Sequence, residues 1–152
     1  MSEWIKLSGV LQYEPDRGHC FKKQFKTKTL IVELGGRWKN QIDLYYQWHL
    51  KKKFGSYLEL QRPMFGNHVT VVRGDECPKN KEYWKKYDGH KIEFEYSLQL
   101  ELKYTFWHLP VRSEALQNIR LELGMKRLAN MHLTIGRQFD WQPKIKNNVI
   151  SF

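Results

Sequence analysis

Two short runs carry the residues whose types and spacing can do chemistry. Gly66-Asn67-His68-Val69-Thr70-Val71-Val72-Arg73 places a His two residues before a Thr, and Met131-His132-Leu133-Thr134-Ile135-Gly136-Arg137 repeats the pattern near the other end. An Arg closes each run five residues after its His. A strand alternates faces with period two, so His68 and Thr70 share one face while Val69 and Val71 take the other. His132 and Thr134 stand likewise against Leu133 and Ile135. Each run therefore presents an imidazole beside a hydroxyl.

Two such pairs, brought together, make a polar site with two proton carriers and two hydroxyl donors. That is the equipment for breaking a phosphodiester without a metal. One neutral His takes a proton from the attacking oxygen, and one protonated His gives a proton to the leaving oxygen. The Thr hydroxyls donate to the nonbridging phosphate oxygens as charge builds there. A single three-residue pattern is ordinarily a packed or surface His, so the argument rests on the duplication, with both copies flanked by strand-type residues.

The duplicated His-x-Thr pattern, one copy per half, resembles the 2H phosphoesterase superfamily, and within it most of all the phage-encoded anti-CBASS nucleases, which destroy the cyclic oligonucleotide signals of bacterial immunity. The resemblance implies an α+β fold, with residues 1–152 forming a single domain of two pseudo-symmetric lobes. Each lobe would be an antiparallel sheet backed by a helix, with a central cleft between them. It implies His68, Thr70, His132 and Thr134 as the catalytic set, no metal or other cofactor, and a 3'-5'-linked cyclic dinucleotide or trinucleotide as substrate. It also implies the cytoplasm of an infected bacterial host as the place of action, and no obligatory protein partner. Which His is base and which is acid stays open, as do base preference, ring size and oligomeric state.

The totals fit this reading. A chain of 152 residues with 41% hydrophobic and 14% aromatic content makes one globular domain. No apolar run reaches membrane-span length, and Met1-Ser2-Glu3-Trp4 lacks the basic-then-apolar order of a signal peptide, so a cytosolic protein is expected. Cys20 and Cys77 stand far apart without metal-ligand spacing, which favours reduced thiols over a disulfide framework or a zinc site. A net charge of +10 favours anionic partners. The Lys residues are scattered in small groups rather than gathered in an arm. A diffuse field drawing a small, multiply charged ligand is favoured over tracking along a duplex.

Around the motifs the pattern predicts strands over 4–13, 26–34 and 57–61, and a helix capped by Asn40 and running through Phe54, whose Lys51–Lys53 run complements the helix dipole. It predicts a short helix over 80–87, and a second longer one opened by Ser113-Glu114 and ended at Gly124. Apolar and polar residues alternate strictly from Ile92 to Phe106, which means strand, with a bend or hairpin near Ser97–Gln99 because one strand of that length is unusual. A final strand is expected over 148–152. Strand, helix, strand and His-x-Thr strand thus recur, an approximate internal duplication of elements.

Trp107 falls in the phase otherwise held by polar residues, which would turn it to the cleft side, where it could stack on a base. Tyr13, at the end of the first strand, is a second candidate for substrate binding. His108 falls in the apolar phase and reads as a packed residue. His19, His49 and His90 have no Thr partner and receive no chemistry. Arg73 and Arg137 sit in the opposite phase from the motif histidines, so they point away unless a bulge intervenes, which Gly136 permits in the second copy. The rival functions are a 2H enzyme acting on linear RNA or 2',3'-cyclic phosphate ends, a noncatalytic module that binds single-stranded nucleic acid, and a structural protein.

Overall fold

The computed structural model describes residues 3–15, 29–34, 41–55, 58–63, 66–139 and 149–151. The period-two stretches become strands: β1 (Trp4–Tyr13), β2 (Leu30–Glu33), β3 (Leu60–Gln61), β4 (His68–Val72), β5 (Lys91–Ser97), β6 (Gln99–Lys103), β7 (Phe106–Arg112), β8 (His132–Gln138) and β9 (Val149–Ser151). Two α-helices occur among the described residues, α1 (Ile42–Phe54) between β2 and β3 and α2 (Glu114–Glu122) between β7 and β8. The expected short helix over 80–87 is a single 3-10 turn at Lys81–Tyr83. Parts of the expected elements that fall on residues 26–28, 35–40, 57, 148 and 152 lie outside the described residues.

Hydrogen-bonded neighbours run β3-β8-β4-β2-β1-β5-β7-β6-β9, and a further β7–β8 pairing joins the run to itself. Strands β8, β4, β2, β1, β5 and β7 thereby close into a six-stranded antiparallel barrel, with β3 flanking β8 and β6 and β9 continuing beyond β7. The chain is α+β, as expected. The sheets expected as two lobes are continuous, because β1 pairs with β5 from Trp4↔Ser97 to Val10↔Lys91 and β4 pairs with β8 at Val69↔Leu133.

One face of each barrel strand supplies the core that the helices complete. Leu11, Val32, Val69, Val71, Phe94, Leu109, Leu133 and Ile135 join Tyr46 and Leu50 of α1, Leu116 and Ile119 of α2, and the α2 C-cap Leu123 in one buried cluster. The i, i+3, i+7 spacing of Leu116, Ile119 and Leu123 puts all three on one helix face. Ser113 caps α2, its hydroxyl accepting from the Leu116 N–H at 3.2 Å. At the start of α1 the described N-cap, Gln41, makes no side-chain bond. Instead the Asn67 side chain, one residue before His68, accepts from the Asp43 N–H at 3.1 Å. The motif strand thus contributes to closing this helix end, while the expected cap at Asn40 lies outside the described residues.

Both helices also hold specific strands. Arg120 of α2, 3% exposed, donates to the Val71 carbonyl of β4 at 2.6 Å and to both oxygens of Glu76. Gln47 of α1 donates to the Ile135 carbonyl of β8 at 3.0 Å. The two strands that carry the motifs are each pinned from behind by one helix.

Candidate active site

The β4–β8 pairing brings the two motifs together. With Val69 opposite Leu133 in an antiparallel pair, the register continues to His68 opposite Thr134 and Thr70 opposite His132. All four side chains share the face opposite the core. Directly opposed residues have Cβ atoms about 5 Å apart and diagonal ones roughly 7–8 Å. The two imidazoles lie on a diagonal, with a hydroxyl beside each.

The two rings are held by the same local device. His68 Nδ1 lies 2.8 Å from the Gly66 carbonyl, and His132 Nδ1 lies 2.9 Å from the Asn130 carbonyl, in each case two residues back along the chain. A carbonyl oxygen only accepts, so each Nδ1 carries the hydrogen and proton exchange falls to Nε2. Gly66 sits at φ 69°, in the left-handed region that favours glycine. Carbonyl-oriented imidazoles of this kind have a fixed tautomer and aim.

The electrostatics keep both rings neutral at rest. Burial pushes the His68 imidazole below 6.5, outweighing the Gly66 carbonyl, which favours the charged form, and the His132 ring lowers it further. Burial also lowers His132; the Asn130 carbonyl opposes this, and the cations of Lys103 and Arg73 add to it. Those two cations are thus close enough to act on His132 and on any anion bound beside it.

Sequence reasoning missed His108. It stands opposite Thr134 on the motif face, its ring 4.7 Å from that of His132 and its Nε2 3.5 Å from a Glu101 carboxylate oxygen. Burial lowers it to about 4, with His132 and Lys103 contributing, so at neutral pH it is an uncharged wall of the site. The expectation of a packed residue holds, since it is 4% exposed, but it packs against the His132 imidazole rather than in the core.

Trp107 is a correction. It is fully buried, 6.3 Å from the Phe54 ring, on the core side of β7 with Leu109 and Val111, and offers no face to a base. The cause is a hairpin: Lys103 pairs with Phe106 across the two-residue loop Tyr104–Thr105, so Leu102 stands opposite Trp107 and the apolar phase passes from even to odd residues. The bend expected near Ser97–Gln99 is present at Leu98, where the chain keeps its direction along β7, and the reversal at Tyr104–Thr105 is additional. Tyr13 is also corrected to a core residue, 6% exposed and edge-on to Trp84 at 4.9 Å.

Arg137 lies on the motif face. Between Trp107↔Gly136 and His108↔Thr134 the register shifts, leaving Ile135 as an extra residue on β8. This is the bulge that Gly136 permits, and Gln47 occupies the carbonyl it frees. Beyond it Arg137 faces Phe106, its guanidinium 5.9 Å from the ring centroid. Arg73 follows the end of β4 and is exposed, 3.6 Å from Asp75 and 3.7 Å from Glu76.

Among the described residues no group of three or more His, Cys, Asp or Glu side chains is arranged to hold a metal ion, and no helix is long and apolar enough to cross a membrane. The chain matches no known family model, no curated protein and no solved structure.

Proposed function

We propose that this chain is a metal-independent phosphodiesterase working by two-histidine acid and base catalysis. The observation that carries this reading is the cross-strand quartet, in which two Nδ1-anchored imidazoles and two threonine hydroxyls share one face of β4 and β8. The substrate in this reading is a 3'-5'-linked cyclic dinucleotide or trinucleotide, the signal class destroyed by the anti-CBASS nucleases that the motifs resemble. The net charge of +10 and the cations of Arg73 and Lys103 beside His132 favour such a ligand. The halves ending in β4 and β8 are then the two lobes of a 2H fold, joined through their motif strands.

One imidazole takes the proton of the substrate's own 2'-hydroxyl, whose oxygen attacks the adjacent phosphorus. The P–O5' bond breaks, and the other imidazole, protonated, supplies the hydrogen to the departing 5' oxygen. The product carries a 2',3'-cyclic phosphate, which water opens with the two roles reversed. Thr70 and Thr134 donate to the nonbridging oxygens throughout, where donors placed in advance stabilise the pentacoordinate transition state.

The test is incubation of the purified protein with a mixture of cyclic dinucleotides and, separately, with linear RNA carrying 2',3'-cyclic phosphate ends, read by mass spectrometry. Opening of the cyclic dinucleotides that persists in EDTA is expected. Cleavage of the linear RNA alone would replace the substrate class, and tight nucleotide binding without cleavage of either would overturn the enzyme.

The histidines also set a pH signature. Both are held below 6.5, so the free protein has one neutral and one protonated imidazole only on the acid side of that value. The bell-shaped profile of kcat/KM is therefore expected to peak below pH 6.5. The profile of kcat should be displaced to higher pH, because a bound phosphate anion favours the protonated ring. Initial rates across pH check this; a kcat/KM maximum on the alkaline side of neutrality would contradict it.

A further inference from the structure

We propose that Phe106, Lys103 and Arg137 form a nucleotide subsite beside the two histidines, with Phe106 as the surface on which a base stacks and the two cations as holders of its phosphate. The inference rests on the phosphodiesterase reading for its substrate class and adds the residues that would hold the neighbouring nucleotide.

The registers place these residues in rows. Lys103, Phe106 and Arg137 stand opposite one another across β6, β7 and β8. The next row on the same face is Glu101, His108 and Thr134, and beyond it Pro110 stands opposite His132. Phe106 is thus two residues along β7 from His108, roughly 7 Å at the usual strand rise, which is about the reach of one nucleotide. It is 45% exposed, whereas its strand neighbour Trp107 is wholly buried. A lone exposed Phe needs no explanation. This one lies between two exposed cations in the row next to the candidate acid and base.

The arrangement also depends on specific backbone features. Arg137 reaches the face only because the extra residue Ile135 shifts the register, and α1 holds that shift through Gln47. The hairpin loop is tied to β8 by the Gln138 N–H donating to the Thr105 carbonyl at 2.6 Å. Tyr104, at the tip, is 99% exposed at φ 55°, a conformation costly for a residue with a side chain. A phenyl ring stacks on any base through the π face that all bases share, so the subsite contributes affinity more than base choice. Cations at each end of the row are placed to meet a charged backbone.

The experiment uses the full chain and a cyclic 3'-5'-linked dinucleotide in which one base is 2-aminopurine, whose fluorescence is quenched on stacking. Binding is read on the His68→Ala, His132→Ala double variant, and turnover on the wild-type background. Phe106→Ala is expected to remove the quench and to lower kcat/KM about 10- to 100-fold, mainly through KM, as for lost stacking in single-strand binders. Phe106→Tyr, which keeps the ring, should restore both. Cleavage and quench unchanged in Phe106→Ala would overturn the subsite and leave the phosphodiesterase standing. Quench lost in Phe106→Ala while the wild type cleaves nothing would support the subsite and overturn the enzyme. A wild-type chain or double variant that binds the probe without any quench overturns the subsite whatever the turnover.

Discussion

His68→Ala and His132→Ala are each expected to lower turnover of a cyclic dinucleotide by about two to four orders of magnitude, the usual worth of a positioned acid or base. The double variant should lose little more than the worse single one, because groups that act as a unit are not additive. Both rings are aimed by a carbonyl two residues back, and replacing either by Ala removes the imidazole while leaving Gly66 and Asn130 in place. His68 is 8% exposed, so part of any loss at that position is structural. His68→Asn, which keeps a polar group at the site, separates the two causes. It should retain the melting temperature more closely than Ala yet remain as inactive. Near-normal rates in either Ala variant would dispose of the mechanism.

Arg120→Ala should be strongly destabilising, costing about 3–5 kcal/mol in urea unfolding at pH 7. Arg120 is 3% exposed and bonds to the carbonyls of Val71 and Lys126 as well as to both Glu76 oxygens. Its removal leaves the buried Val71 carbonyl and the Lys126 carbonyl without the Arg120 donor and Glu76 with its contacts to Arg73 alone among those described. Lysine, with one compact charge, cannot reproduce the fork, so Arg120→Lys should recover only part of the loss. The hydrogen bond from Arg120 holds the Glu76 carboxyl below its ordinary value of 4.5. The pair therefore stabilises fully above 4.5 and loses that contribution as the pH falls. The deficit of Arg120→Ala should narrow accordingly in acid; a deficit that stays constant down to strongly acid pH would mean that packing, rather than the ion pair, is what the variant loses.

The two His-x-Thr pairs were readable in the sequence and their geometry only in part. Alternation puts His68 with Thr70 and His132 with Thr134 whatever the fold, so both pairs could be named from spacing alone. Ser113 announced α2 because its cap bond is local. The pairing of Val69 with Leu133 joins residues in opposite halves of the chain, and no local pattern encodes it. The hairpin at Tyr104–Thr105 was hidden because it lacks the Gly, Asn or Asp that two-residue loops favour. Tyr104 takes a positive φ without the residue that would signal it. Reading the alternation straight through that loop put Trp107 on the wrong face and set His108 aside. For Arg137, Gly136 was the one visible hint of the extra residue on β8.

That extra residue gives β8 two separately adjustable ends. On one side of Ile135 the strand carries His132 and Thr134; on the other it carries Arg137, opposite Phe106. Since the interruption breaks the alternation between them, changes at the Arg137 end would, in the proposed enzyme, retune which molecules are accepted while His132 and Thr134 keep their alignment. If the proposed reaction is correct, a chain built this way would acquire new targets through drift at its periphery without having to reinvent that reaction.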